Sequence, residues 1–211
     1  MPNHITTILR IEGTEAQIAE VKKAIRGEES AIDFNRIIPM PETYRKYDTT
    51  NHPNGKGLEV GKPVRPWEKD SPIVTPELLE EYEKATHDQA LEYGVIGWYD
   101  WSCAHWGTKW NCYDVEDMED GVKFDTAWSF PLPVVEALSQ QFPGITFSFI
   151  YADEDVSYNT GSGKIVDGEF IDFFQPDGDT PEGWANYFAT HEGEEEYFEP
   201  REDGTYKYKE D

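Results

Sequence analysis

GVKFDTAWSFPLPVVEALSQQFPGITFSFIY, residues 121–151, is the stretch that decides the fold. Its composition predicts a strand over 121–129, a helix over 131–142 and a second strand over 145–151. The apolar residues of the helix recur on one face, as they do when a helix packs against a sheet. The stretch therefore predicts one strand–helix–strand unit of an α+β fold.

The start of the chain repeats this order. Residues 4–11 are rich in β-branched types and predict a strand. Thr14 followed by Gln17 fits a capping box, which opens a helix that Gly27 ends. Residues 32–38 alternate apolar and polar and predict a second strand. Two split strand–helix–strand units predict an antiparallel sheet with helices packed on one face.

A different composition separates the two units. Residues 39–75 hold six of the 14 Pro, and residues 36–69 carry a net charge of +3 in an otherwise acidic chain. We interpret 39–75 as an insertion in a domain that spans 1–180, with 181–211 as an acidic C-terminal extension. Further elements are predicted by capping, periodicity and turn signals: helices over 75–94, 98–105 and 181–191, a strand over 108–115, and one or two strands within 156–174.

The charge balance restricts the class of partner. The 211 residues include 43 Asp and Glu against 18 Lys and Arg, a formal net charge of −25. Such a molecule is a poor partner for free nucleic acid or for an anionic membrane. Aromatic residues make up 14 % of the chain, which favours a folded protein over a disordered acidic one. There is no membrane-length apolar run, no signal peptide at the start, and no disulfide framework in two Cys, so we expect a soluble, cytoplasmic protein.

Four motifs resemble the YubB-like (Api-ninety-two-like) proteins of phages and plasmids: MPNHITTILRIEG (1–13), WYDWSCAHWGTKWNCYD (98–114), TAWSFPLPVVEALSQQFP (126–143) and FSFIYADED (147–155). The most specific elements are W-G-T-K-W at 106–110 and A-W-S-x-P-x-P at 127–133. The resemblance covers roughly 1–40 and 95–175. It implies a ferredoxin-like domain and a protein of a mobile genetic element, and it supplies no catalytic residues.

The Trp-rich motif allows two interpretations. Large rings can lock a helix onto a sheet, each indole N–H needing a partner. Alternatively, the rings line a groove for a small ligand, with a nucleotide as one candidate and the 39–75 segment as a lid. In that hypothesis the ligand-binding residues are Trp101, Trp106, Lys109 and Trp110.

Catalytic and metal sites are not predicted. Cys103, His105 and Cys112 lack the paired spacing of a zinc site. The clustered carboxylates match no calcium loop and no identifiable glycosidase pair. We therefore expect a protein that is not an enzyme and has no cofactor and no metal.

The remaining signal is the acidic C-terminal third. Residues 153–211 hold 18 Asp and Glu against four Lys and Arg. A dense field of carboxylates can imitate nucleic-acid phosphates and occupy the basic channel of a host defence or nucleic-acid-handling protein. The sequence hypothesis is thus an acidic binding protein that acts as a DNA mimic in anti-defence. Its candidate partner-binding residues are Asp153, Glu154, Asp155, Glu194, Glu195 and Glu196, whose joint reversal to Lys is expected to abolish binding and leave the fold intact.

Overall fold

A computed structural model describes residues 2–52 and 55–209. The first residue of the MPNHITTILRIEG motif, two residues of the 39–75 segment and the last two of the acidic tail lie outside this range. The chain divides into two compact units: unit 1 is 1–39 with 105–211, and unit 2 is 40–104. All of the predicted insertion except Pro39 therefore lies in unit 2, together with the helix that follows it, and residues 181–209 lie in unit 1 with the sheet.

Unit 1 is built on a six-stranded sheet of order β2-β3-β1-β4-β5-β6, in which all neighbours are antiparallel. The strands are β1 (His4–Glu12), β2 (Tyr113–Met118), β3 (Gly121–Ala127), β4 (Thr146–Asp153), β5 (Gly161–Val166) and β6 (Glu169–Phe170). Helix α1 (Glu15–Ile25) follows β1, helix α5 (Leu132–Gln141) follows β3, and helix α6 (Pro181–Thr190) follows β6. The order β4-β1-β3-β2 with α1 and α5 as crossovers is a ferredoxin-like arrangement, so the predicted α+β class is confirmed.

Local signals explain where the elements begin. The side chain of Thr14 accepts a hydrogen bond from the backbone of Gln17, and the capping box that the sequence predicts is present. Thr180 caps α6 through the backbone N–H of Gly183, and a proline follows at the first helical position. The helix predicted over 181–191 is confirmed.

The strand predicted over 32–38 is wrong. Phe34–Arg36 forms a short 3₁₀ helix instead. Asp33 accepts hydrogen bonds from the backbone of Asn35 and from the side chain of Asn111, while Asn111 accepts from the backbone of Phe34. These side chains accept hydrogen bonds from backbone N–H groups that a strand would donate to its neighbour. The alternating apolar residues are therefore buried without being paired in a sheet. In the first strand–helix–strand motif, the strand that follows α1 is β2, which comes in the chain only after the residues of unit 2.

The helices do not all lie on one face of the sheet, and that part of the prediction is wrong. Phe130, which leads into α5, stacks on Phe149 and Tyr151 at centroid distances of 4.7 and 4.6 Å. Ala152 points to the opposite face, because successive strand residues alternate. There it packs in a buried cluster with residues of α6 and of the next strand: Trp184, Tyr187 and Phe198. Residues of the acidic C-terminal third therefore form a layer on the second face of the sheet.

Residues 194–208 form a small motif. Glu194–Tyr197 forms a 3₁₀ helix, and β7 (Phe198–Pro200) pairs antiparallel with β8 (Tyr206–Tyr208). Phe198 carries its side chain into the α6 cluster. The predicted acidic C-terminal extension thus includes a hairpin within unit 1.

Unit 2 contains α2 (Glu42–Lys46), α3 (Pro76–Tyr93) and α4 (Gly97–His105), whose last residue begins the second segment of unit 1. Its core includes Val64, Val74 and Tyr82. The buried side chain of Gln89 joins its segments: it accepts hydrogen bonds from Thr49 and from the backbone of Gly97. Among the described residues, no helix is long and apolar enough to cross a membrane.

Candidate functional site

The two most specific motifs of the sequence pack against each other in unit 1. The hydroxyl of Thr108 donates to the carbonyl of Ala127 at 2.8 Å, and the hydroxyl of Ser129 donates to the carbonyl of Gly107 at 2.5 Å. A Cβ atom on Gly107 would lie 2.8 Å from the ring of Pro133. W-G-T-K-W and A-W-S-x-P-x-P therefore form one structural unit.

The lysine of the first motif lies over two indole rings. The Lys109 ammonium is 4.4 Å from the ring centroid of Trp110 and 4.8 Å from that of Trp128. Both distances are in the range of cation–π interactions. The strand predicted over 108–115 begins only at Tyr113, so the strand geometry that would place Lys109 and Trp110 on opposite faces does not apply. We call Lys109, Trp110 and Trp128 the indole–lysine site.

Trp128 has an unusual backbone for a large residue. Its φ is +72°, in the left-handed region, and 43 % of the residue is exposed. Its N–H donates to the carbonyl of Asn3 at 3.0 Å, and its carbonyl accepts from the side chain of Asn159 at 3.2 Å. Conformations of this kind persist only where the surroundings determine them.

Asp153 organises both of these contacts. Its two carboxylate oxygens accept from the side-chain amides of Asn3 at 3.1 Å and Asn159 at 3.0 Å, and from the backbone of Asp155 at 2.9 Å. Only 5 % of Asp153 is exposed. This carboxylate therefore fixes Asn3 and Asn159, which bind the backbone of Trp128, and it is not available at the surface for a partner. Its reversal to Lys would bury an ammonium among donors, so the joint reversal of all six candidate acids would not leave the fold intact.

The other rings of the predicted ligand groove lie in cores. Trp106 is 3 % exposed, donates its indole N–H to the carbonyl of Ile38 at 2.9 Å and meets Phe34 edge-on. Trp101, in unit 2, is 2 % exposed and packs against Tyr44. Core packing therefore accounts for these two rings, and Lys109 and Trp110 are the members of the predicted set that lie together.

Four of the other five candidate acids, Glu154, Asp155, Glu195 and Glu196, are exposed, and Glu194 is half-buried. The hydroxyl of Tyr187 donates to Glu194. Burial, then Glu194 and also Glu154, raise the pKa of Tyr187, so one acid from each predicted triplet lies within electrostatic reach of the same hydroxyl. Glu194 therefore contacts α6 directly, and Glu154 influences the same tyrosine through its charge.

Few of these acids have a basic partner. Between 153 and 209 there are 16 Asp and Glu, and in the described part of the chain two of them, Asp179 and Glu199, form ion pairs, with Arg201 and Lys207. Unit 1 as a whole has 31 acidic and 11 basic residues. Its surface therefore carries a strong, largely uncompensated negative field.

A polar cluster that sequence analysis missed lies where α6 covers the sheet. Thr6 donates to Asp125 at 2.8 Å and lies 3.4 Å from Nε2 of His191, and the Tyr113 hydroxyl lies 3.0 Å from Nδ1 of His4. Burial raises the pKa of Asp125 and raises that of Tyr113 to about 12. The strand register brings these residues together, because Thr6 and Tyr113 both pair with Asp125.

The indole–lysine site was also incomplete in the sequence. Trp128 stood in a specific motif, which was the available signal for it. Asn3 and Asn159 gave none, because a surface-type polar residue shows its role only when the loops are placed.

No curated protein sequence matches the chain. The crystal structure of the protein Api92 from Yersinia pseudotuberculosis is similar at 10 % sequence identity, over 84 % of this chain and 99 % of that one, with a TM-score of 0.43. Residues 105–200 match the family model described as the ferredoxin-like domain in Api92-like protein, which confirms the ferredoxin-like prediction for this part of the chain.

Proposed function

We propose that this protein is a non-enzymatic binding protein whose acidic surface in unit 1 takes a basic protein as its partner. The observation that carries the proposal is the shortage of ion pairs: 14 of the 16 carboxylates between 153 and 209 have no Lys or Arg partner in the described part of the chain. Like charges at this density repel one another and oppose compactness. A cationic partner surface would relieve that repulsion and be steered towards it.

The class of partner follows from the same charge. Proteins that handle nucleic acid present Lys and Arg surfaces matched to a dense row of phosphates. A partner of this class in the cytoplasm, such as a host defence protein, would make this protein a nucleic-acid mimic. The resemblance to proteins of phages and plasmids suggests a mobile genetic element as its source.

The test compares two triple variants with the same change in charge. Asp155→Lys, Glu195→Lys and Glu196→Lys reverse exposed acids of the candidate surface, whereas Glu20→Lys, Glu28→Lys and Glu29→Lys reverse exposed acids at α1 and the loop after it. Wild type and both variants are used to capture proteins from nuclease-treated bacterial lysate, and the affinity of a captured basic protein is then measured.

We expect the first variant to bind at least about tenfold more weakly and the second to resemble wild type, because close charges dominate over distant ones at physiological salt. Duplex DNA should compete with the protein for the partner, and rising salt should weaken binding steeply. Equal effects of the two variants, or simultaneous binding of DNA and protein, would contradict mimicry.

A further inference from the structure

We propose that the indole–lysine site, Lys109 with Trp110 and Trp128, binds a ligand of the mononucleotide class: an aromatic base that carries an anionic phosphate. This site is separate from the acidic residues to which the proposed function is assigned. The inference therefore does not depend on the basic protein partner.

The first observation concerns the Lys109 ammonium. It lies over two indole rings and makes no hydrogen bond or ion pair with any residue that the structure describes. Unit 1 offers 31 acidic side chains, yet this cation has none of the described ones as a partner. An ammonium has three donors, and an aromatic face satisfies none of them as a conventional hydrogen bond. An anion can therefore bind Lys109 without displacing a carboxylate.

The second observation concerns Trp128. Its ring remains substantially exposed although its backbone is held on both sides, at the N–H by Asn3 and at the carbonyl by Asn159. The left-handed φ of a bulky residue is costly, and such conformations concentrate at functional sites. A ring that is held in this way and stays 43 % exposed presents a preorganised surface on which a planar ligand can stack.

These two features select the ligand chemistry. Exposed indole rings stack on nucleobases, and a nearby ammonium binds phosphate. A long polyanion would meet the net charge of −25, but a single nucleotide carries too little charge to be excluded by it. The buried rings of Trp101 and Trp106 take no part in this site.

The experiment is calorimetric titration of the full chain with AMP, adenosine and inorganic phosphate, each in low-salt buffer. AMP is expected to bind more tightly than adenosine or phosphate, because only AMP uses both the ring and the ammonium. Lys109→Met should weaken AMP binding about tenfold or more and leave adenosine binding nearly unchanged. Trp128→Gly should weaken both about five- to thirtyfold.

Matched controls separate site effects from general ones. Lys123→Met removes a half-buried lysine of β3, and Trp67→Ala removes an indole of unit 2 that is 68 % exposed. Glycine adopts the φ of residue 128 without strain, so Trp128→Gly is expected to remain folded by circular dichroism. Lys109→Met provides a second test that leaves the backbone of residue 128 untouched.

Three outcomes would overturn the inference. The first is the absence of binding for all three probes, and the second is equal affinity for AMP and adenosine. The third is AMP binding that Lys109→Met and Trp128→Gly leave unchanged or that the control variants weaken equally. In each case the three side chains would be a structural staple between the two motifs.

Discussion

Asp153 and Asn159 are joined by a hydrogen bond of 3.0 Å between the carboxylate Oδ2 and the side-chain amide, and the same amide also donates to the carbonyl of Trp128. The other carboxylate oxygen of Asp153 accepts a hydrogen bond from the side-chain amide of Asn3. The backbone carbonyl of Asn3 in turn accepts the hydrogen bond from the Trp128 N–H. One buried carboxylate thus fixes both sides of a strained residue. An acid that sequence analysis assigned to partner binding is a structural residue.

We expect Asp153→Asn to lower the free energy of unfolding by about 1–3 kcal/mol, because the new amide turns a donor towards the amide of Asn3 or Asn159. Urea unfolding at neutral pH measures this change. Asp155→Asn is the matched control: Asp155 is exposed, and a change within about 0.5 kcal/mol is expected there. A loss at Asp153 no larger than that at Asp155 would show that the network contributes nothing to stability.

Gly107 provides a second stability test. It combines a φ of +74° with a Cβ position 2.8 Å from Pro133, whereas Gly144 has a φ of +77° and no atom within 4 Å of its Cβ position. Gly144→Ala should cost only the left-handed backbone, about 1–2 kcal/mol. Gly107→Ala should cost more, because the two motifs must also separate. Equal losses in denaturant unfolding would mean that the close approach at Pro133 carries no energetic weight.

Much of unit 1 could be predicted from local patterns. The capping box at Thr14, the helix after Pro131 and the strand at 145–151 all depend on nearby residues, and all are present as the predicted types of element. The ferredoxin-like class was implied by the resemblance, and the order of the strands is known only from the structure. Two predictions were wrong, the strand at 32–38 and the placement of all helices on one face, because both depend on contacts between residues distant in the chain. Asn111 binds the backbone of the 3₁₀ turn, and Ala152 packs against α6.

The candidate sites were harder to predict for the same reason. Charge indicated six acids but could not show that Asp153 is buried, because its three donors come from three separate positions in the chain. Trp106 and Trp110 belong to one sequence motif, but in the structure Trp106 is buried in the core and Trp110 lies beside Lys109. Residue type suggested the chemistry, and only the tertiary contacts assign it to a core or to a surface.

The two cysteines should differ in reactivity. Burial and the nearby Asp33 raise the pKa of Cys112 to about 12, so very little thiolate forms at neutral pH. Cys103 is exposed. Titration with a thiol reagent should therefore modify Cys103 in native protein and Cys112 only after unfolding. Cys103→Ser is expected to abolish the fast phase and Cys112→Ser to preserve it; the reverse pattern would contradict the environment assigned to Cys112.

Asp125 and Asp117 should give stability profiles of opposite sign with pH. Burial raises the pKa of Asp125 above its ordinary value near 3.8, so the folded protein holds this proton more tightly than the unfolded chain. Stability from this group therefore falls as pH rises from the unfolded pKa through the folded one. Lys22, and then Arg26, lower the pKa of Asp117, so its contribution is present above the unfolded pKa and is lost as pH falls.

Urea unfolding of wild type, Asp125→Asn and Asp117→Asn between about pH 3 and pH 7 separates the two effects. Relative to wild type, Asp125→Asn should become more stable as pH rises from about 3.8, because the variant has no half-buried carboxyl to ionise. The side-chain amide oxygen of this variant can still accept from Thr6, so the hydrogen bond is retained. Asp117→Asn should become less stable relative to wild type as pH rises, because the variant lacks the carboxylate that Lys22 and Arg26 stabilise. Parallel profiles for all three proteins would mean that neither carboxyl is perturbed by folding, and a rising cost for Asp125→Asn would mean that its charge is stabilised by His4 and His191 more than it is penalised by burial.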